Sequence, residues 1–196
     1  MGETAIRPTG RAHTITMTEK DIIHIIREDE WMMSVLRIAE GLHLPDWVIG
    51  AGFVRSKVWD HLHGYTKPRP DITDIDLVYY DPHGNGERAD NALSERLTRE
   101  TELPWEIVNE FYAHVWNGVP PYTSTEDALS CWPETATAVG VTLNNEKLKI
   151  VAPYGIADLV NLIVRPSPKF AHMEKVRARV AEKKWLEKWP KLELQV

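Results

Sequence analysis

Residues 46–79 constrain the fold more than any other stretch, because strand-like and helix-like spacing alternate there with glycines at the junction. Trp47, Val48 and Ile49 run straight into Gly50-Ala51-Gly52, the pattern of a short buried strand entering a tight turn. Phe53, Val54, Val58, Trp59 and Leu62 then recur at helical spacing as far as His63. The turn therefore opens on a helix N-terminus, where unpaired amides and the helix dipole favour an anion. Pro68, Pro70 and Asp71 break the chain, after which Ile75, Leu77 and Tyr79 alternate with Asp74, Asp76 and Val78 in a second strand. Side chains alternate along a strand, so Asp74 and Asp76 share one face.

The rest of the chain reads as one domain built around this unit. Residues 1–17 carry Pro8 and Gly10 without apolar periodicity and read as a loose tail, with a single domain over 18–196. Thr18 with Asp21 marks a helix start. Ile22, Ile23, Ile25 and Ile26, then Trp31, Val35, Leu36 and Ala39, carry one or two helices to Gly41, which can adopt a left-handed C-cap. Residues 81–86 form a loop, and Ala89, Leu93 and Leu97 mark the inner face of the next helix. Residues 105–108 read as a third strand that sets Glu106 between apolar neighbours, followed by a connection rich in Pro and Trp. Residues 137–143 and 147–151 flank Asn144-Asn145 as a hairpin extending the same sheet. Residues 155–163 and 171–189 read as helices parted by Pro166 and Pro168.

Composition excludes several classes of function. A net charge of -6 argues against wrapping duplex DNA, which needs a dominant basic surface. Cys131 is the only cysteine, which excludes an intrachain disulfide and a cysteine zinc cage and suits a reducing cytoplasm. No apolar run approaches the length of a membrane span, and residues 1–17 lack a signal-peptide core.

Two carboxylates on one strand face repel each other without a counter-charge. Magnesium uses carboxylate and phosphate oxygens as ligands, so an aspartate pair beside an anion-binding turn is chemically coherent. A G-x-G alone reads as a turn and a D-x-D alone as a solvated edge; their order together points to a nucleotide and metal site. Arg55 lies one helical turn in, where it can pair with a triphosphate or with a surface carboxylate. His61 and His63 are two apart on a helix and do not face each other as a chelating pair. His114 and Asn117 read as loop-packing residues. Lys175, Arg177, Arg179, Lys183, Lys184 and Lys188 interleave with Trp185 and Trp189 in a C-terminal basic helix. That pattern could bind RNA, but Glu174, Glu182 and Glu187 dilute it, and a solvated helix face explains it better.

The segments Gly50-Ala51-Gly52-Phe53-Val54-Arg55, Leu62-His63-Gly64 and Asp74-Ile75-Asp76-Leu77 resemble the head-domain signature of tRNA nucleotidyltransferases and related polymerase-beta-like enzymes. With Trp59-Asp60-His61, Trp132-Pro133-Glu134-Thr135-Ala136 and Arg165-Pro166, residues 20–190 resemble a family of small bacterial nucleotidyltransferase-like proteins. The resemblance implies an α/β chain of α+β type in the nucleotidyltransferase fold, a mixed β-sheet flanked by helices. It implies that Gly50, Ala51, Gly52 and Arg55 bind a triphosphate. It also implies that three catalytic carboxylates hold two magnesium ions, with manganese as the alternative metal. The resemblance makes Glu106 the best candidate for the third carboxylate beside Asp74 and Asp76, with Asp60, Asp81 and Glu134 as competing ligands. Many relatives place a serine after the first glycine of the turn, where this chain has Ala51. Asp158 is similar to a residue that fixes a late helix rather than touching metal. The implied reaction moves a nucleoside monophosphate from an NTP to a small-molecule, protein or RNA acceptor. A nucleotide-binding module without turnover and an RNA-binding protein are the alternatives.

Overall fold

The computed structural model describes residues 17–66, 72–170 and 172–195. The expected tail lies outside the described residues apart from Met17, which is buried, and so do the breaks at Pro68, Pro70 and Asp71.

Two helices, α1 (Glu19–Arg27) and α2 (Glu30–Glu40), precede β1 (Val48–Ile49). Asp21 accepts hydrogen bonds from the Thr18 amide and hydroxyl, both at 2.7 Å, closing the start of α1. Gly41 does not take the left-handed conformation expected of it. It continues the helix at φ -66°, and His43 (φ 53°) and Asp46 (φ 44°) make the reversal instead. Next come α3 (Gly52–His63), β2 (Ile75–Tyr79), α4 (Glu87–Thr101) and β3 (Trp105–Asn109). The Pro- and Trp-rich connection contains α5 (Glu110–Asn117) and α6 (Thr125–Leu129), capped by the Asn109 and Ser124 side chains. The hairpin β4 (Gly140–Asn144) and β5 (Lys147–Val151) follows. It turns through Asn145 (φ 48°) and Glu146 (φ 60°), a pair of left-handed residues that suits the twist of a two-residue turn.

The sheet order is β3-β2-β1-β4-β5, with β2 and β3 parallel and the other pairs antiparallel. Ile75, Leu77, Ile107 and Val141 point from one face into the main core with Ile22, Ile26, Leu36, Phe53 and Trp59. On the other face Val48, Val78 and Leu129 form a small satellite core, while Asp76 and Glu106 are left uncovered by it. The free edge of β3 is closed by α4. Asp90, Ser94 and Thr98 accept from the amides of Asn109, Ile107 and Trp105 at 2.9, 3.0 and 3.1 Å. Four helical residues rise about 6 Å and two strand residues about 6.7 Å, so one polar side chain per turn meets every second strand amide. The edge that carries Glu106 is thus held rigid without another strand.

The C-terminal third is more broken than its periodicity suggests. Residues 155–163 hold only the single turn α7 (Ala157–Val160) before β6 (Ile163–Val164), because Leu162 turns left-handed at φ 60°. The basic helix expected over 171–189 is two pieces, α8 (Met173–Glu182) and α9 (Trp185–Lys188), with Lys184 left-handed at φ 53° between them. β7 (Glu193–Leu194) then pairs with β6.

Candidate functional site

The parallel register of β2 and β3 sets Asp76 directly beside Glu106. Asp74 stands two residues before Asp76 on the same face, and ligand oxygens of all three lie within 4.8 Å of one another. At that spacing three hard oxygen donors can converge on one or more divalent cations. Burial pushes the Asp76 carboxyl up to about 7, and the charges of Asp74 and then Glu106 push the same way. The guanidinium groups of Arg55 and Arg179 only partly offset this. The cluster therefore lacks positive charge, the condition that a bound cation relieves.

The glycine turn is tied to this strand by the Gly50 amide, which donates to the Asp76 carbonyl at 3.0 Å. A Cβ at Gly50 would stand 2.8 Å from the Trp132 ring, and one at Gly52 would stand 2.9 Å from Ile72, so both glycines are required by close approach. Ala51 sits at φ 48°, ψ -123°, backbone that glycine adopts freely and alanine only under strain, of the kind that persists at functional sites. Ala51 and Gly52 line the cleft above the carboxylates.

Arg55 is not a surface cation. It is buried, donates from Nη1 to Thr137 Oγ1 at 2.8 Å, and lies over the rings of Trp185 (4.2 Å) and Trp59 (5.2 Å). Burial lowers its pKa to about 10, opposed first by Glu134 and less strongly by Asp76 and Asp74. It remains charged at neutral pH, and among the cations acting on Asp76 it offsets the carboxyl's rise most.

The cleft holds about 570 Å³. Thr73, Asp74, Asp76 and Glu106 form one wall, and Arg179, Lys183, Lys184 and Lys188 belong to the other. The basic segment is therefore not simply a solvated face. Its cations share a cavity with the acids, a placement that helical periodicity alone could not supply.

The competing third carboxylates have other partners. Asp60 accepts from Trp189 Nε1 at 2.7 Å, and Asp81 accepts from the His83 amide beyond the far end of β2. Glu134 is fully buried with its Oε1 3.3 Å from Arg179 Nε. Asp158 accepts from Thr135 and pairs with Arg165, a structural role. His63 bonds the Trp59 carbonyl and the Lys191 amide, and His114 bonds the Phe111 carbonyl, so neither reaches the carboxylates. Asn117 donates to the Tyr122 hydroxyl, again a packing contact. None of the described residues forms a helix long and apolar enough to cross a membrane.

Comparison with known proteins agrees with this geometry. The family described as Nucleotidyltransferase matches residues 37–194. An NMR structure described as a CCA-adding enzyme head domain is 34% identical, covers 92% of this chain and 97% of its own, and superposes with a TM-score of 0.81. The CCA-adding enzyme of Thermotoga maritima complexed with tRNA shares the fold at TM-score 0.56 and 16% identity, over 89% of this chain and 42% of that one. A CCA-adding enzyme complexed with ATP does so at TM-score 0.53 and 14% identity, with the same coverage of 89% and 42%. The chain thus spans less than half the length of either full enzyme. No curated protein matches its sequence.

Proposed function

The chain belongs to the nucleotidyltransferase family, and on that premise we propose that it transfers a nucleoside monophosphate from an NTP to an acceptor nucleophile with release of pyrophosphate. One observation carries this reading: Asp76 and Glu106 stand in register on parallel strands, with Asp74 completing a triad of oxygens within 4.8 Å. The all-carboxylate donor set fits a hard divalent cation, and Asp74, Asp76 and Glu106 would hold magnesium or manganese. When bound, two such ions supply charge stabilisation to the attacking and leaving oxygens.

The chain's own residues do the rest. Asp74 and Asp76 line the same cleft as the turn at Ala51 and Gly52, where they would face the α-phosphate. Arg55, fixed between two tryptophans, adds a positive field that costs no reorganisation during reaction. Glu106 is solvent-exposed at the edge of the sheet, where an acceptor can approach, and it takes the proton from the attacking hydroxyl. A bond forms between the acceptor oxygen and the α-phosphorus. The bond from that phosphorus to its β-bridging oxygen breaks, and the electron pair leaves with pyrophosphate.

The test is release of labelled pyrophosphate from the four NTPs with magnesium and pooled RNA, protein and small-molecule acceptors. Wild type releases it and Asp76→Asn falls by at least about 1000-fold, on the order of 4 kcal/mol of transition-state stabilisation. Equal release by wild type and Asp76→Asn would reject the assignment.

A further inference from the structure

Arg179, Lys183 and Lys184 stand across the cleft from the three carboxylates but are in different electrostatic situations. Arg179 is matched by Glu134, whose buried carboxylate lies 3.3 Å from its Nε. Among the described residues the side chains of Lys183 and Lys184 make no hydrogen bond or ion pair, although their backbones continue the helical bonding. Lysines at the end of a helix often do no more than complement its dipole, and Lys183, as the C-cap of α8, can be read that way. Lys184 cannot. It occupies the left-handed position that usually falls to glycine, at φ 53°, ψ 40°, and so places a charged side chain at the cost of backbone strain.

The corner that presents these lysines is fixed. Trp185, the next residue, is 2% exposed, with its ring 4.2 Å from the Arg55 guanidinium and edge-on to Trp59. Trp189, one turn on, packs edge-on against Trp59 and donates to Asp60. A pair of cations carried on this corner and facing an acidic wall repels small cations and attracts what that wall alone would repel, a chain of phosphates. Ala51 offers no hydroxyl to such a chain, whereas these ammonium groups line the same cleft and carry donors not taken by another side chain.

We propose that Lys183 and Lys184 bind the β- and γ-phosphates of the NTP, so that the C-terminal segment makes the cleft selective for nucleoside triphosphates over monophosphates. This rests on the nucleotidyl-transfer reading and identifies which residues hold the leaving group. The two lysines act on the same ligand that the carboxylates reach from the other side.

The test uses the full chain and the double variant Lys183→Gln with Lys184→Gly. Calorimetric titrations use tripolyphosphate in metal-free buffer, ATP and AMP with magnesium, and a single-stranded RNA oligonucleotide. Tripolyphosphate without metal reads the lysines independently of the carboxylates. The variant loses about 10- to 100-fold in affinity for tripolyphosphate and ATP, binds AMP within about twofold of wild type, and melts no lower, because glycine relieves the left-handed strain. Unchanged affinity of the variant for both polyphosphates overturns the inference and leaves the carboxylate reading standing. Loss of single-stranded RNA binding with ATP affinity intact overturns it in favour of a nucleic-acid contact. A wild-type chain that binds tripolyphosphate but no ATP rejects the nucleotide reading, and the inference with it.

Discussion

The acidic wall of the cleft takes its order from backbone pairing, whereas the basic wall takes its order from tryptophan packing. Asp76 and Glu106 are neighbours because β2 and β3 are in parallel register, and the β3 edge is pinned by Asp90, Ser94 and Thr98 of α4. Lys183 and Lys184 are placed because Trp185 and Trp189 are driven into the core against Trp59 and Arg55. The first arrangement rests on strand pairing shared over several residues, so it tolerates most single changes of side chain outside the three α4 contacts. The second depends on a few large side chains, and it should fail when one of them is removed.

Trp185→Ala is the strongest way to break that contrast. It removes a side chain only 2% exposed and the ring beneath Arg55. The expected cost is about 3–5 kcal/mol, a fall in Tm of roughly 10 °C by calorimetry, together with weaker ATP binding. A Tm within about 2 °C of wild type would mean that the basic wall does not rely on this packing.

A smaller effect sharpens the acidic side. Burial holds both Asp76 and Glu110 near 7, so between about pH 4 and 7 the folded chain keeps protons that the unfolded chain has released. Stability of the metal-free chain from these groups is therefore fully present below about pH 4 and lost progressively as pH rises from there through 7. Asp76→Asn removes one of the two charges. It should raise the metal-free Tm at pH 8 by roughly 3 °C, on the order of 1 kcal/mol, by less at pH 5, and leave the value below about pH 4 nearly unchanged. A variant that melts lower than wild type at pH 8 would show that the Asp76 charge is already compensated without metal.

The two walls also differ in how far they can be read from sequence. Asp74 and Asp76 share a face by simple alternation, and the glycine turn and α3 follow from spacing within 30 residues. Glu106 is legible as a carboxylate in a strand, but only the parallel register, a contact across 30 residues, makes it the third member. Arg55 looks like a surface cation because nothing near it in sequence shows that Trp185 and Thr137 will enclose it. The break at Lys184 carries no glycine or proline signal, so continuous helical periodicity hides the corner. α5 and α6 are missed for a related reason: each is short, and each is started by a polar cap, Asn109 or Ser124, within a stretch that otherwise reads as loop.

Manganese counted by electron paramagnetic resonance, with a non-hydrolysable NTP present, tests the carboxylate triad most directly. The geometry of Asp74, Asp76 and Glu106 predicts two ions held per wild-type chain and their loss in Asp76→Asn. A wild-type chain that binds the nucleotide while all the manganese stays free would contradict it.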